Sequence, residues 1–320
     1  MDLLVTGGLG FIGCNFIRYM LGQHSGCTIT NFDKVTYAGN PANLAELETD
    51  FRYSFIKGDI CDPNIVDRVF SHHSFDAVIH FAAESHVDRS IHDASSFVKT
   101  NVMGTQTLLN AAHRNKIAQF IHISTDEVYG SIQTGSFKET DILNPSSPYS
   151  ASKAGSDLLA RAFFITHELP VIVTRCTNNF GQYQYPEKLI PFFITNLLRG
   201  KTVPVYGTGK NIRNWIYVLD HCRAIDFVLE KGKAGEIYNI GGDSEMTNLA
   251  ITYKILELLG KDSCSIEFVE DRHGHDWRYS LDSSKLRKMG WRPQLTFEAA
   301  LKKTVEWYVQ HERWWRPLIS

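Results

Sequence analysis

Two short segments of this chain bring together side chains able to carry out redox and acid–base chemistry. Thr125, Asp126 and Glu127 follow one another in the string STDEVYG, and Tyr149 and Lys153 begin and end the string YSASK. Residues four apart on a helix share one face, so the phenol and the ammonium are predicted to lie side by side. A hydroxyl, two carboxyl groups, a phenol and an ammonium are sufficient to move a hydride and then remove water from one substrate.

The tyrosine and lysine are the predicted oxidation pair. An alcohol is oxidised when a base takes the hydroxyl proton while the carbon gives a hydride to an acceptor such as NAD. A free tyrosine, with a pKa of about 10, is a weak base at neutral pH. A neighbouring ammonium and a positive nicotinamide ring would stabilise its phenolate. Tyr149 is therefore the predicted base, and Lys153 its partner and a ligand of the nicotinamide ribose.

A glycine-rich segment near the start of the chain predicts the cofactor site. The string GGLGFIG follows a strand-like run and opens a helix, with glycines at positions 7, 8, 10 and 13. Such glycines let the backbone approach a pyrophosphate, and the helix N-terminus supplies free N–H groups. Asp33 ends the next predicted strand, about 20 residues beyond the loop, where a carboxylate binds the ribose 2′-hydroxyl and repels a 2′-phosphate. The pattern favours NAD over NADP.

Further cofactor candidates follow other predicted strands. Parallel sheets bind ligands at the carboxyl ends of their strands. An acid at such an end can accept a hydrogen bond from the adenine amino group, and small residues there leave room for the cofactor. The candidates are Asp59 and Ile60 after the third strand, Phe81, Ala82 and Ala83 after the fourth, and Thr100 and Asn101 at the start of a helix.

Composition limits the class of protein. The chain has 320 residues, of which 43% are apolar and 21% charged, and its formal net charge is −2. These are ordinary values for a globular protein with about two domains. No basic block and no bilayer-length apolar run is present, so we expect neither nucleic acid nor a membrane as a partner. Six scattered cysteines predict reduced thiols, and with no export signal visible we expect a cytoplasmic protein.

The alternation of segments predicts an α/β fold with a Rossmann-like, doubly wound parallel sheet. Strands are predicted over 3–6, 28–32, 53–57, 77–81, 119–124 and 171–175, and helices over 12–22, 63–71, 101–115 and 149–167. Residues 1–177 are the predicted NAD-binding domain, and 178–320 a smaller mixed α/β substrate domain with some segments interleaved. There we expect helices over 186–200, 221–230, 248–259 and 297–312, a strand over 236–240, and a hairpin around 207–209.

The glycine loop together with Tyr-x-x-x-Lys resembles the extended short-chain dehydrogenase/reductase family. The strings FAAESHVDRS, STDEVYG, YSASK, PEKLIP and DRHGH and the late Trp-Trp pair are similar to those of its nucleotide-sugar 4,6-dehydratase group, and the resemblance covers essentially the whole chain. Members that only epimerise or oxidise usually carry small or neutral residues where this chain has Asp126 and Glu127.

The resemblance implies a hydro-lyase that acts on a nucleotide sugar, with dTDP-glucose the expected substrate and tightly bound NAD regenerated in each cycle. Tyr149 would take the proton of the sugar 4-hydroxyl, with Thr125 hydrogen-bonded to that oxygen. Glu127 would remove the C5 proton, and protonated Asp126 would donate to the departing C6 hydroxyl. The two acids then need environments that push their pKa values apart.

The resemblance also implies the remaining contacts. Those to NAD are Gly7, Gly10, Phe11, Ile12, Gly13, Asp33, Lys34, Thr36, Asp59, Ile60, Phe81, Ala82, Ala83, Ser85, Thr100, Ser124, Tyr149, Lys153 and Asn179. Those to the sugar nucleotide are Ser85, Thr125, Asn178, Lys188, Leu189, Pro204, Tyr206, Arg213, Asn248, Arg272 and His275. The two arginines suit phosphate, which a guanidinium binds through two hydrogen bonds. No metal site is expected, although His273 and His275 are close in sequence.

Four positions depart from the usual strings of the group. Asn214 stands where Asp is usual, His273 where Pro is frequent, and Phe180 and Gln182 where Tyr and Pro are usual. They belong to the substrate region, so the nucleotide, dTDP or UDP, stays open.

Two other functions also stay open: a UDP-sugar 4-epimerase, which would need no C5 base, and a non-catalytic NAD-binding regulator, which can lose the tyrosine or lysine kept here.

The two longest helices of the first half predict a dimer. Helices 101–115 and 149–167 each offer an apolar stripe beyond what one sheet face would bury. Twofold symmetry favours an interface made from the same surface of both copies. We therefore expect a homodimer joined by a four-helix bundle.

Overall fold

Strands and helices alternate in the first half of the chain, as the sequence predicts. The computed structural model describes residues 1–271 and 276–319. The strands of this half are β1 (Asp2–Thr6), β2 (Thr28–Asp33), β3 (Tyr53–Lys57), β4 (Ala77–His80), β5 (Gln119–Thr125) and β6 (Val171–Cys176). Its helices are α1 (Phe11–Gln23), α2 (Pro63–His72), α3 (Val87–His92), α4 (Ala94–Phe97), α5 (Thr105–Arg114) and α6 (Pro148–His167). All the predicted elements of this half are present, and only the helix predicted over 101–115 begins more than one residue from its predicted start.

That helix starts earlier than predicted and is not regular. α4 runs into a π-helical segment, Val98–Gly104, which continues directly into α5. Thr100 and Asn101 therefore lie inside a continuous helix, and the prediction that they begin it is wrong. A π turn inserts an extra residue into the helical repeat, which a search for a 3.6-residue period does not detect, and such turns are frequent at functional sites.

The second half of the chain contains both strands and helices, without the regular alternation of the first half. Its strands are β7 (Asn178–Phe180), β8 (Val203–Tyr206), β9 (Ile212–Tyr217), β10 (Ile237–Ile240), β11 (Ser244–Thr247) and β12 (Ile266–Val269). Its helices are α7 (Leu189–Leu198), α8 (Val218–Lys231), α9 (Asn248–Leu258), α10 (Ser284–Lys288), α11 (Phe297–Gln310) and α12 (Glu312–Trp315). The helix predicted to begin at Pro186 begins three residues later, and the one predicted to end at Glu312 is interrupted at His311.

The predicted hairpin around Gly207 and Gly209 is wrong. A turn is present, but β8 pairs with β12 in a two-stranded sheet, whereas β9 lies between β7 and β11 in a three-stranded one. An isolated two-stranded hairpin is only marginally stable, and here each strand pairs with a partner distant in sequence. Local turn residues do not reveal such partners.

A seven-stranded parallel sheet confirms the predicted Rossmann-like fold. Its order is β10-β6-β5-β4-β1-β2-β3. The chain winds outward in both directions from the β1–β4 pair, and ligands bind such sheets in the crevice at this point, beyond the carboxyl ends of the strands. β10 comes from the second half, so the two halves are interleaved. The boundary at residue 177 stays a prediction.

The sheet has a hydrophobic core on each face. Side chains alternate along β1, so Leu3 and Val5 belong to one buried cluster and Leu4 to the other. Helix α8 of the second half packs beside α1 on the first of these faces. Within 1–271 and 276–319, none of the helices has both the length and the apolar character needed to cross a bilayer.

Candidate active site

The glycine loop passes very close to the backbone that follows β4. Gly7 has a φ of +72°, and a Cβ on it would lie 2.6 Å from the amide nitrogen of Ala82. A Cβ on Gly13 would lie 2.4 Å from the carbonyl oxygen of Gly7. Any other residue would strain the backbone at Gly7 and push the chain apart at both positions. The loop and the start of α1 thus form a cradle that fits a dinucleotide pyrophosphate.

Asp33 is fixed at the mouth of this cradle. Its carboxylate accepts hydrogen bonds from the backbone N–H groups of Leu9, at 3.0 Å, and Val35, at 2.7 Å. Burial raises the pKa of Asp33, and the two N–H groups oppose that shift. Lys34 is paired with Asp59 at 2.8 Å. Because a neighbouring carboxylate offsets this lysine, the site favours the free ribose hydroxyl of NAD over the 2′-phosphate of NADP.

Asn101 connects the loop that follows β4 to α6, the helix that carries the predicted base Tyr149. Its side-chain oxygen accepts from the backbone N–H of Glu84 at 2.8 Å, and its amide donates to the carbonyl of Glu84 at 3.0 Å. The same amide donates to Ser152 Oγ at 2.8 Å on α6. The π segment thus aims one buried amide at both elements, a role that the sequence does not reveal.

The acid pair begins a short 3₁₀ turn, Asp126–Tyr129, directly after β5. Thr125 Oγ1 accepts from the backbone N–H of Glu127 and donates to Asp126 Oδ1, both at 3.3 Å. Burial, and then the charge of Glu127, raise the pKa of Asp126 to about 8, while Arg213 acts in the opposite direction. Asp126 is buried and Glu127 is only half-buried. Asp126 is therefore mainly protonated at neutral pH, as a proton donor must be.

Tyr149 and Lys153 lie in the first two turns of α6. The helix begins with a capping box made by Ser147 and Ser150, which fixes its direction. Lys153 Nζ donates to the carbonyl oxygen of Ile123 on β5 at 2.8 Å. Burial lowers the pKa of Lys153 to about 8, with Asp157 acting against it. The ammonium is thus held against the strand that leads to the acid pair.

In the chain by itself, burial dominates the pKa of Tyr149. Burial, and then the charge of Glu127, raise the pKa of Tyr149, while a hydrogen bond with Thr125 lowers it. Lys153 Nζ donates to the carbonyl oxygen of Ile123 in the same chain. The stabilisation of the phenolate by Lys153 and an oxidised nicotinamide ring stays a prediction.

One cavity of about 390 Å³ brings the predicted groups together. All five predicted catalytic residues line it, as do the predicted NAD residues other than Asn101 and Gly8. Sequence reasoning missed part of its lining, namely Phe32, Ala38, Gly39, Gly58, Glu84, Ile123, Cys176, Thr177, Gln184, Tyr185, Glu187, Ile190 and Trp215. Phe32 and Gly58 flank predicted strand ends and could have been found, whereas most of the others carry no motif and are brought here by the fold.

The predicted sugar-nucleotide residues divide into two sets. Ser85, Thr125, Asn178, Lys188 and Leu189 line the cavity, and Lys188 Nζ donates to the carbonyl of Ser85 at 3.0 Å. A second set, Pro204, Tyr206, Arg213 and Asn248, lies outside the lining. Arg272 and His275, with His273 of the rejected metal site, lie outside the described residues, so these predictions stay open.

Arg213 nevertheless lies close to the acid pair. Its guanidinium donates to the carbonyls of Ile212 and Asp276, at 2.8 and 2.9 Å, and lies 4.4 Å from the ring centroid of Tyr279. It is one of the charges that act on Asp126. Of the second set, Arg213 thus acts on Asp126 through its charge.

Comparisons with known proteins identify the family of the chain. The GDP-mannose 4,6 dehydratase family matches residues 4–304. The dTDP-glucose 4,6-dehydratase of Streptomyces niveus is 54% identical, covering 100% of this chain and 96% of the relative. One similar crystal structure is that of DesIV, the dTDP-glucose 4,6-dehydratase of Streptomyces venezuelae, in a complex that includes NAD. Its TM-score to this chain is 0.97 at 53% identity, and the match covers 99% of this chain and 100% of DesIV. The UDP-glucose 4-epimerase of Thermus thermophilus has a TM-score of 0.90 at 27% identity, covering 97% and 100%.

The fold and the site define a nucleotide-sugar enzyme of the extended short-chain dehydrogenase/reductase type, and the chain belongs to the GDP-mannose 4,6 dehydratase family. Its relatives at about half identity over the full length include the dTDP-glucose 4,6-dehydratases. The resemblance found in the sequence is confirmed.

Proposed function

We propose that this protein catalyses the NAD-dependent dehydration of dTDP-glucose to dTDP-4-keto-6-deoxyglucose. One observation carries the proposal: a buried Asp126, whose pKa is raised to about 8, and a half-buried Glu127 share one cavity with Tyr149 and Lys153. An oxidation pair alone would serve many dehydrogenases. An acid and a base beside it serve an elimination.

The first half of the cycle is an oxidation at C4. When bound in the cradle, NAD accepts the hydride of C4 and later supplies it to C6. Tyr149 takes the proton of the 4-hydroxyl, and Thr125, hydrogen-bonded to Asp126 and able to reach the phenol, stabilises the same oxygen. Lys153, held at Ile123, orients the nicotinamide ribose.

The second half is an elimination across C5 and C6. The 4-ketone acidifies the adjacent C5 proton, which Glu127 removes as general base. Asp126 donates its proton to the C6 hydroxyl, the C6–O bond breaks, and water leaves. The hydride then enters at C6 and Glu127 returns a proton to C5. Tyr149 then releases the proton taken from the 4-hydroxyl and Asp126 regains one, so the sum of the steps is the loss of one water without net oxidation.

The competing functions are separated by the site and not by the fold. An epimerase shares this fold closely, so overall shape does not decide between them. Epimerisation at C4 uses no acid–base pair at C5 and C6, whereas this cavity contains one. The regulator interpretation is disfavoured because both Tyr149 and Lys153 line the cavity.

The departures from the usual strings do not argue against dTDP as the nucleotide. Asn214 donates to the carbonyl of Gly242 at 3.2 Å, and Gln182 Oε1 accepts from the Tyr217 hydroxyl at 2.8 Å. Phe180 packs on Phe297 with ring centroids 5.1 Å apart. None of these three residues is part of the cavity lining. They support local packing, so they give no reason to replace dTDP by UDP.

The direct test is product formation from the two nucleotide sugars. We expect the protein to convert dTDP-glucose to a product lighter by one water, and to convert UDP-glucose far more slowly. Mass spectrometry of the sugar nucleotide measures both. Equal conversion of the two would remove the dTDP assignment, and recovery of an unchanged mass from both would contradict dehydration altogether.

We further propose a homodimer joined through α6 and the helix running from α4 to α5. Leu158 and Ile165 on α6 are 58% and 63% exposed, and Val98 and Met103 on the neighbouring helix are 47% and 56% exposed. Leu158 and Ile165 are two turns apart on one face. Two adjacent helices with exposed apolar faces can bury them against the same pair in a second copy.

The dimer is tested by placing charge on this surface. We expect Leu158→Glu combined with Ile165→Glu to convert a dimer into a monomer at micromolar concentration, as measured by light scattering or sedimentation. Ile142→Glu is the matched control, since Ile142 is exposed but lies outside both helices. A wild-type monomer under these conditions would refute the proposal.

We also place the protein in the cytoplasm. All six cysteines are free thiols, and four of them are buried. Thiols persist in reducing compartments, whereas oxidising compartments favour disulfides. Fractionation of the native host, with immunodetection of the chain, tests this location.

A further inference from the structure

A buried polar network lies behind the catalytic residues and takes no part in the steps above. Arg175 on β6 donates from Nε to Asp157 Oδ2 at 2.8 Å and from Nη1 to the Tyr129 hydroxyl at 2.7 Å. His122 Nε2 lies 3.2 Å from the other Asp157 oxygen. The Tyr129 hydroxyl donates to Asn239 Oδ1 at 2.9 Å. All five side chains are buried.

The two partners of Arg175 belong to the two halves of the catalytic apparatus. Asp157 is one helical turn after Lys153 on α6, the helix that carries the oxidation pair. Tyr129 is the last residue of the turn that begins with the acid pair. One guanidinium therefore joins the oxidation helix to the elimination turn through a hydrogen bond at each end.

Stability alone is a weak reason for such a network. A buried ion pair loses hydration, and well-packed apolar residues in its place are often as stable. Within the described residues, Asp157 Oδ1 and His122 Nδ1 have no hydrogen-bond partner, whereas Arg175, Tyr129 and Asn239 leave no buried polar atom without one. Satisfied hydrogen bonds such as those of Arg175 and Tyr129 fix the arrangement of the elements that they join. The Tyr129 ring is already held by stacking on Phe137, with centroids 5.0 Å apart and planes 10° apart. Its hydroxyl adds the connections to Arg175 and Asn239.

We propose that Arg175 and Tyr129 are positioning residues that keep the acid pair aligned with the oxidation pair, so that the 4-ketone forms where the acid pair can act on it. The inference rests on the proposed function. Misplacement by about 1 Å can slow a step about 10²-fold. Loss of the link should therefore slow the elimination, which needs the turn in place, and leave the oxidation, which depends on α6, largely intact.

The decisive variant is Tyr129→Phe, which removes only the hydroxyl. In single-turnover experiments with dTDP-glucose, absorbance of reduced nicotinamide reports oxidation and mass spectrometry reports water loss. We expect oxidation within about twofold of wild type and water loss about tenfold slower or more, within the 10²-fold range for misplacement. Reduced nicotinamide should then accumulate together with the 4-keto sugar that still carries its C6 hydroxyl. An unchanged ratio of the two rates would overturn the positioning role.

Phe137→Leu is the control, because it removes the stacked ring and keeps the hydroxyl link. It should lower the melting temperature without changing the ratio of the two rates. Arg175→Lys is the second variant, since it keeps a positive charge beside Asp157 but loses the forked link, and it should change the ratio as Tyr129→Phe does. If neither Tyr129→Phe nor Arg175→Lys folds, the network is structural and the proposal is overturned. Failure of the wild-type protein to lose water from dTDP-glucose would instead defeat the proposed function itself.

Discussion

Glu127→Gln is expected to oxidise dTDP-glucose at C4 normally and to lose water from it about 10²- to 10⁴-fold more slowly, the usual contribution of a general base. The amide has nearly the shape of the carboxylate but does not accept the C5 proton. Glu127 is half-buried in the cavity, and its charge is among the causes that raise the pKa values of Asp126 and Tyr149. Its removal should therefore make Tyr149, if anything, easier to deprotonate.

Rapid mixing of this variant with dTDP-glucose should give a lasting absorbance of reduced nicotinamide, with no product lighter by one water. Exchange of the C5 hydrogen with deuterated solvent should also stop. Tyr149→Phe is the matched control, because without the phenol neither the absorbance nor the lighter product should form. Dehydration by Glu127→Gln at the wild-type rate would remove Glu127 as the base.

Asp126→Asn is expected to have the second large effect, again about 10²- to 10⁴-fold on water loss. The amide preserves the shape of the neutral acid but is too weak an acid to protonate the departing hydroxyl. The pKa of Asp126 is raised to about 8, and the protonated form is the active one. In the wild-type protein the rate of water loss should therefore fall as the pH rises through about 8. That decline should be absent from the residual rate of the variant.

The same carboxyl group links stability to pH in a defined direction. Asp126 binds its proton more tightly in the folded chain than in the unfolded chain, where its pKa is about 3.9. The free energy of unfolding should then decrease as the pH rises from about 4 to about 8. Asp126→Asn should weaken this dependence and unfold at neutral pH no more easily than the wild type. Denaturant titrations at several pH values measure it, and a variant with an unchanged pH dependence would mean that Asp126 is ionised in the folded protein.

The predicted residues that the structure brings into one cavity are encoded in contiguous strings. The glycines at 7 and 13 are required by close backbone approach, and the acid at 33 by the end of a strand. Thr125 to Glu127 occupy a single turn, and Tyr149 and Lys153 share one helix face. In each case the chemistry depends on residues a few positions apart, so sequence spacing is enough to predict it.

The parts that were missed depend on elements distant in sequence. Arg175 and Tyr129 meet because β5 and β6 are neighbours in the sheet, and Gln184 and Glu187 reach the cavity because of the path before α7. Burial raises the pKa of Tyr149, and the spacing of Tyr149 and Lys153 does not reveal how deeply the phenol is buried. Strand order and side-chain direction are properties of the whole fold.

The contribution of β10 to the large sheet limits how proteins built this way can change their substrates. β10 pairs along β6, the strand that carries Arg175, although it lies more than fifty residues further along the chain. A gene fusion that joined the first half to the second half of another enzyme would bring a foreign strand to that edge. An ill-fitting strand would leave β6 as an open edge, which invites aggregation. New nucleotide preferences are therefore more accessible through single substitutions in the loops around the cavity than through recombination of halves.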